Sequence, residues 1–328
     1  MKTICIYHSV DLDGWMSAAI VRHWFIKEHG KDHLEYQWFP QENKINAIYK
    51  GAFETLKFEY PEITFLSYNY GQPIPDLSEY DRVVMCDVSF PKEEMDKLLN
   101  KLSTNFIWID HHISAIKAND TELITGIQNT EYAACELTWK YFFPDEAMPE
   151  IVRLLGMYDS FRHKGTDEEE DVLEFQYGAR QYISSYEDAY NNLLYSLECS
   201  ESHINDIHKE GKTIYQYLCT EAKQTYKNGF EIEFDERVTG FPNSVEFKTH
   251  KFICFNKERF NPVNFGIDYH KDGYNGAACF HYNGTNWGFS LYNDNGEVDC
   301  SVIAKQYGGG GHKGAAGFRV NNINEIIK

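Results

Sequence analysis

His8, Asp11 and Asp13 in "HSVDLDG", Asp87 in "CDVS", Asp110, His111 and His112 in "WIDHH", and Asp159 in "GMYDS" are residue types that bind metals or move protons. Three of these stretches follow runs that read as buried strands: "TICIYH" (3–8), "RVVMCDV" (82–88) and "NFIWID" (105–110). A single Asp after a strand is ordinarily a turn former or a helix N-cap. Independent caps do not call for tandem histidines beside an acid at the end of a core strand, so the set is read together. In a parallel α/β sheet the strand C-termini share one edge, where ligands bind. So many carboxylates within a few ångströms would repel and take up protons unless cations neutralise them. Oxygen and imidazole donors without thiolate suit Mn²⁺ or a similar ion better than structural zinc. Four acids and two histidines suffice for a pair of divalent cations bridged by one carboxylate, about 3.5–4 Å apart as in two-metal hydrolases. His23, His29, His33, His203 and His208 belong to no such cluster and read as structural or solvent-facing.

The elements that must position this set alternate along the first 160 residues. Residues 13–29 predict a helix with Met16, Ile20 and Trp24 on one stripe. "EYQWF" (35–39) predicts a second strand. After the third strand, Pro91 suits a first helical turn, and Met95, Leu98, Leu99 and Leu102 form an apolar face. Residues 131–143, 149–158, 184–198 and 203–228 also read as helices, the last ending at Gly229. The acidic run "TDEEED" (166–171) reads as a solvated loop. This alternation predicts an α/β fold: a mostly parallel sheet with helices on both faces. From residue 230 the pattern turns to short β-like segments, "FEIEF", "KFICF", "GAACFHY" and "WGFSLY", with Asn283-Gly284 as a hairpin signal. A helix-like "CSVIAKQY" (300–307), a glycine run and "GFRV" complete a second, smaller α/β domain. The expected division is 1–198 for the metal-binding domain, 199–229 for a helical linker and 230–328 for a substrate-binding domain.

Composition bounds the function. The 328 residues carry a net charge of −19, which argues against an electrostatic grip on long duplex nucleic acid. A short phosphorylated substrate in a local pocket remains compatible. No apolar run reaches the length of a membrane span, and the N-terminal apolar run is too short for a signal peptide, so a cytoplasmic location is expected. The eight cysteines form no CxxC pair and read as reduced core thiols. In "GGGGHKGAAGF" (308–318), glycines permit positive φ and close backbone approach, so N–H groups there could cradle an anion. Gly309, Gly310, Gly311 and His312 are therefore candidate substrate contacts.

The ordered set "HSVDLDG", "CDVS", "DHH" and "GMYDS", followed by "GGGGHKGAAGF", resembles the DHH phosphoesterase superfamily with a C-terminal DHHA1 domain. "DLDG" and the C-terminal signature look closest to its nanoRNase and cyclic-nucleotide phosphodiesterase branch. The resemblance implies that His8 and Asp11 hold one Mn²⁺, that Asp13, His111 and Asp159 hold another, and that Asp87 bridges them. It implies that Asp110 orients His111 and that His112 meets the substrate phosphate. Two positions depart from the family pattern. Two residues rather than three separate His8 from Asp11, and Tyr292 stands where many DHHA1 domains have an Arg. The implied activity is metal-dependent hydrolysis of short single-stranded oligoribonucleotides, or linear dinucleotides such as pApA, by a metal-activated water. The alternatives are a cyclic-nucleotide phosphodiesterase, a phosphatase acting on 3′-phosphoadenosine 5′-phosphate, or a catalytically silent nucleotide-binding module. Oligomeric state is left open, a dimer included.

Overall fold

Strand alternation explains the first layer of the fold. In β1 (Lys2–His8), Ile4 and Ile6 point to one face of the sheet and Cys5 and Tyr7 to the other, and all four are buried. β4 (Phe106–Asp110) repeats the pattern, with Phe106 and Trp108 on the first face and Ile107 and Ile109 on the second. A strand buried on both faces belongs to a sheet sandwiched between helices. The computed structural model describes residues 1–29, 62–119, 122–239 and 245–327, and it shows this arrangement. The predicted strand at 35–39 and His33 lie outside the described residues.

The chain divides into two units, Met1–Lys212 and Thr213–Lys328. In the first, β1, β2 (Glu62–Tyr68), β3 (Arg82–Cys86), β4 and β5 (Thr125–Gln128) form a parallel sheet in the order β2-β1-β3-β4-β5. The chain leaves β1 toward one side and continues at β3 on the other, so a topological switch point lies at the C-terminal ends of β1 and β3. On one face lie α1 (Leu12–His29), α4 (Ala134–Phe142), α5 (Glu150–Asp159) and α6 (Glu169–Tyr182), packed through Met16, Ile20, Trp139, Leu155 and Phe175. α2 (Lys92–Leu102) covers the other face with Met95, Leu98 and Leu102. A short α3 (Ile113–Ala118) follows the tandem histidines.

Two expectations are corrected here. The acidic run is not all loop: Glu169, Glu170 and Asp171 form the first turn of α6, where negative charge complements the helix dipole. The helices expected at 184–198 and 203–228 are one, α7 (Tyr186–Tyr226), and the division between the units falls within it.

The second unit is a six-stranded sheet in the order β10-β11-β9-β8-β7-β6. Its strands are β6 (Phe230–Thr239), β7 (Val245–Asn256), β8 (Gly276–Tyr282), β9 (Trp287–Tyr292), β10 (Gly310–Gly311) and β11 (Ala315–Val320). Among the described residues, β7–β8 is the parallel pairing and the others are antiparallel. α8 (Cys300–Gln306), capped by Asp299 Oδ1, adds Ile303 and Ala304 to a core of Phe234, Phe252, Phe289 and Phe318. This is the smaller α/β unit expected. Among the described residues no helix is long and apolar enough to cross a membrane.

Candidate metal centre

β1 ends at His8, and α1 begins four residues later. Gly14 makes this short connection possible, since a Cβ there would lie 2.0 Å from the carbonyl oxygen of His8. Asp11 Oδ1 accepts the Gly14 N–H at 3.1 Å, which fixes the entry to the helix. Asp13, in the first turn, is buried and reaches across to the start of α4. Its Oδ1 accepts the N–H of Cys135 at 2.7 Å and its Oδ2 that of Ala134 at 2.9 Å. Such N–H groups have no partner within their own helix, so the acid completes the helix start and is fixed by it.

β3 delivers Asp87 just beyond its last residue. The Asp87 N–H donates to the carbonyl of Ile109 at 2.9 Å, extending the β3–β4 ladder, while its φ of 60° is left-handed. That conformation costs about 1–2 kcal/mol in most residues and is best tolerated, after Gly, by Asn and Asp. The turn directs the buried carboxylate into the cluster. Asp159 arrives from the last residue of α5.

Asp110 is fully buried at the end of β4, and both its oxygens are engaged. Oδ2 accepts the Trp108 indole N–H at 3.2 Å. Oδ1 accepts the backbone N–H of His111 at 2.7 Å and of His112 at 2.9 Å, and lies 2.8 Å from Nδ1 of His112. The resemblance assigns Asp110 to orienting His111. In the structure the acid holds His111 by its backbone, and the ring it holds is that of His112. A ring nitrogen facing a carboxylate carries the proton, so Nε2 of His112 is the atom left for a substrate.

The side chains converge. His8 Nδ1 is 3.2 Å from Asp11 Oδ2 and 3.3 Å from Asp87 Oδ2. His111 Nε2 is 3.3 Å from both Asp87 Oδ1 and Asp159 Oδ2, and 3.7 Å from Asp13 Oδ2. Three overlapping triads result: His8, Asp11 and Asp87; Asp13, His111 and Asp159; and Asp87, His111 and His112. Within each triad the potential ligand atoms lie within 4.8 Å of one another. His8 Nδ1 and Asp87 Oδ1 are buried without a hydrogen bond of acceptable geometry despite these approaches. Orphaned buried polar atoms within a mixed nitrogen and oxygen set fit divalent cations.

The electrostatics agree. Burial disfavours the His8 imidazolium, but the Asp11 and Asp87 carboxylates outweigh it and push the pKa up to about 10. Burial likewise opposes charge on His111, yet Asp87, then Asp13 and Asp159, raise it to about 11. Asp13 is raised well above the usual carboxylate range by burial and by the charges of Asp87 and Asp159. Asp159 is pushed up to about 7, first by burial, with Asp11 and Asp87 adding to it and His111 opposing. Burial acts upward on Asp87 too, but the His111 and His8 imidazoles prevail and lower it. Such shifts are what acids crowded under burial produce, and divalent cations would supply the balancing charge.

Residues 3–158 match the model of the DHH family, N-terminal domain. The first unit therefore carries a DHH domain. DHH-family members are phosphoesterases, which supports hydrolysis of a phosphoester bond as the kind of reaction carried out here. Over 98% of its length the chain is 23% identical to uncharacterized protein R106 of Acanthamoeba polyphaga mimivirus, covering 68% of that protein. Among solved structures, it shares its fold with the DHH domain of a protein described as a member of a family of ribosomal proteins. That pair has 16% identity and a TM-score of 0.50, with 99% of this chain and 84% of the other covered. A pGpG-specific phosphodiesterase from Vibrio cholerae has 14% identity and a TM-score of 0.45, with 99% and 95% covered.

Beyond the metal-binding candidates, two aromatic residues that sequence reasoning missed lie near the centre. Trp108 shares the strand face of Asp110 at a spacing of two, which is the signal that could have revealed it. Tyr70, in the loop after β2, places its ring 6.1 Å from that of His8 and 6.3 Å from that of His112.

The glycine run of the second unit is organised differently from the anion cradle expected for it. Gly308 donates its N–H to Lys305, Gly309 to Ala304 and His312 to Ala315, all at backbone carbonyls. Gly310 and Gly311 form β10, paired with Gly317 and Ala316. A Cβ on Gly309 would lie 2.1 Å from the Gly317 carbonyl oxygen, whereas one on Gly310 would meet nothing within 4 Å. The glycines allow two backbones to touch, and most of these N–H groups already serve the end of α8 or the hairpin. Alternation in an antiparallel ladder turns the Gly311 N–H toward the outer edge, beside His312.

Proposed function

We propose that this protein is a metal-dependent phosphodiesterase that hydrolyses short oligoribonucleotides, linear dinucleotides included, to mononucleotides. The observation carrying the proposal is the set of triads around Asp87 and His111, with the His112 ring held beside them by Asp110. His8, Asp11 and Asp87 would hold one divalent cation, and Asp13, His111 and Asp159 the second, with Asp87 shared. Two such ions, Mn²⁺ being the best match to the donors, supply charge neutralisation for the phosphate and lower the pKa of water from 15.7 to about 7.

The chain's own residues then orient and exclude. Asp110 fixes Nδ1 of His112 and, with Asp87, favours the imidazolium against burial, so that its Nε2–H can donate to a phosphate oxygen or to the leaving oxygen. The backbone N–H groups of Ala134 and Cys135 hold Asp13 against the repulsion of its neighbours. In the second unit, Gly311 and His312 are the proposed substrate contacts. The net charge of −19 supports a short substrate rather than a long polyanion. The test is a labelled dinucleotide incubated with Mn²⁺, with and without EDTA. Mononucleotide release only in the presence of metal is expected. Tight nucleotide binding with no release under either condition overturns the proposal in favour of a silent binding module.

A further inference from the structure

A cavity of about 360 Å³ opens beside the metal centre, between the loops that follow β2 and β3. Tyr68, Tyr70, Ile74, Phe90 and Pro91 supply most of its wall, and among the described residues no charged one lines it. Ser89 and Gln72 are the polar side chains there. A phosphate would find no cation in this space. The volume sits at the small end for ligand pockets, enough for one flat heterocycle and not for a dinucleotide.

The walls are held in register with the catalytic loop. Asn69 Oδ1 accepts the backbone N–H and the hydroxyl of Ser9, each at 3.3 Å, and Ser9 directly follows His8. Tyr68 donates its hydroxyl to the Gln72 carbonyl at 3.0 Å, which closes the turn on which Tyr70 is displayed. Tyr70 is 53% exposed, and its ring lies close to the His8 and His112 rings while also lining the cavity.

We propose that this cavity is a nucleobase subsite: it receives the base of the nucleotide whose phosphate lies at the metal centre, with Tyr70 as the stacking platform. The inference rests on the nucleotide reading above and adds to it a place and a residue for base recognition. Base–aromatic stacking is sequence-tolerant, because every base has a π-face. The subsite therefore distinguishes a nucleotide from a base-free phosphodiester, and discriminates weakly among bases.

The experiment compares kcat/KM for a dinucleotide with that for the same phosphodiester lacking its bases, in wild type, Tyr70→Ala, Tyr70→Phe and Ile74→Ala. Wild type is expected to prefer the dinucleotide. Tyr70→Ala is expected to lose about 10–100-fold on the dinucleotide, mainly through KM, and to leave the base-free substrate unchanged. Tyr70→Phe keeps the ring and is expected to stay near wild type, and Ile74→Ala to lose only a few-fold. An equal loss on both substrates overturns the subsite, because the ring then shapes the metal centre. No loss on either overturns it as well. Wild type that cleaves no nucleotide while cleaving the base-free diester removes the nucleotide reading itself, and the subsite with it.

Discussion

The metal centre and the glycine hairpin are both built at the ends of strands, yet they treat polar groups in opposite ways. In the glycine run, the N–H groups of Gly308 and Gly309 bond carbonyls at the end of α8, that of His312 bonds a carbonyl across the hairpin, and Gly310 pairs across to Gly317. At the metal centre, His8 Nδ1 and Asp87 Oδ1 are buried without a proper partner, Asp87 is held at positive φ, and the acids carry displaced pKa values. Polarity left unsatisfied under burial destabilises a fold, so it persists where a ligand completes it. The difference teaches that the acids are arranged for chemistry, while most of the glycine run is arranged for close backbone contact.

Four experiments break or sharpen this contrast. The largest effect is expected for Asp87→Asn, which keeps a residue tolerant of positive φ and removes the shared charge. Turnover should fall by about 10⁴-fold, the scale seen when one member of a catalytic unit is removed, with circular dichroism unchanged. Retained turnover would sink the two-metal assignment. His112→Gln should lower kcat by about 10²–10³-fold and leave Mn²⁺ affinity as in wild type; a matching loss of metal affinity would make His112 a ligand instead.

Metal removal comes next. Mn²⁺ at 100 times its dissociation constant should stabilise the folded chain by about 2.7 kcal/mol per site, read as a rise in melting temperature that EDTA reverses. That rise should shrink in Asp87→Asn and persist in glycine-run variants. The smallest effect separates two adjacent glycines. Gly309→Ala forces a Cβ onto the Gly317 carbonyl and should cost about 1–3 kcal/mol of stability, whereas Gly310→Ala enters open space and should cost almost none. A large activity loss in a fully stable Gly310→Ala would restore the glycine run as a substrate cradle.

The sequence made much of the DHH domain legible. β1, β3 and β4 are apolar runs ending in acids or histidines, and a sheet buried on both faces requires such runs. β2 was not legible, because "EITFLSY" has no chemistry at its end and an earlier stretch, 35–39, competed for the assignment. β5 was missed because it is four residues long and contains Gly126, which is unfavourable in a strand. α6 was hidden by its own acidic first turn, which stabilises a helix start but looks like a solvated loop when read as composition. At the site, residue types revealed which acids gather but not who holds them. The bonds from Ala134 and Cys135 to Asp13 join residues more than 120 positions apart, and the choice of the His112 ring over that of His111 by Asp110 is a matter of side-chain direction.

The long reach of the metal-binding candidates along the chain has a kinetic side. Residues 8, 11, 13, 87, 111 and 159 meet only after the three parallel strands β1, β3 and β4 have paired, and parallel pairing of distant segments is slow because the intervening chain must be closed first. The cluster therefore cannot nucleate folding. Once assembled, it ties the beginning of the chain to the end of α5, in the manner of a reversible cross-link closing long loops. Cations should leave the refolding rate almost unchanged and act on the unfolding rate instead, so that the loaded protein resists proteases far longer than the stripped one.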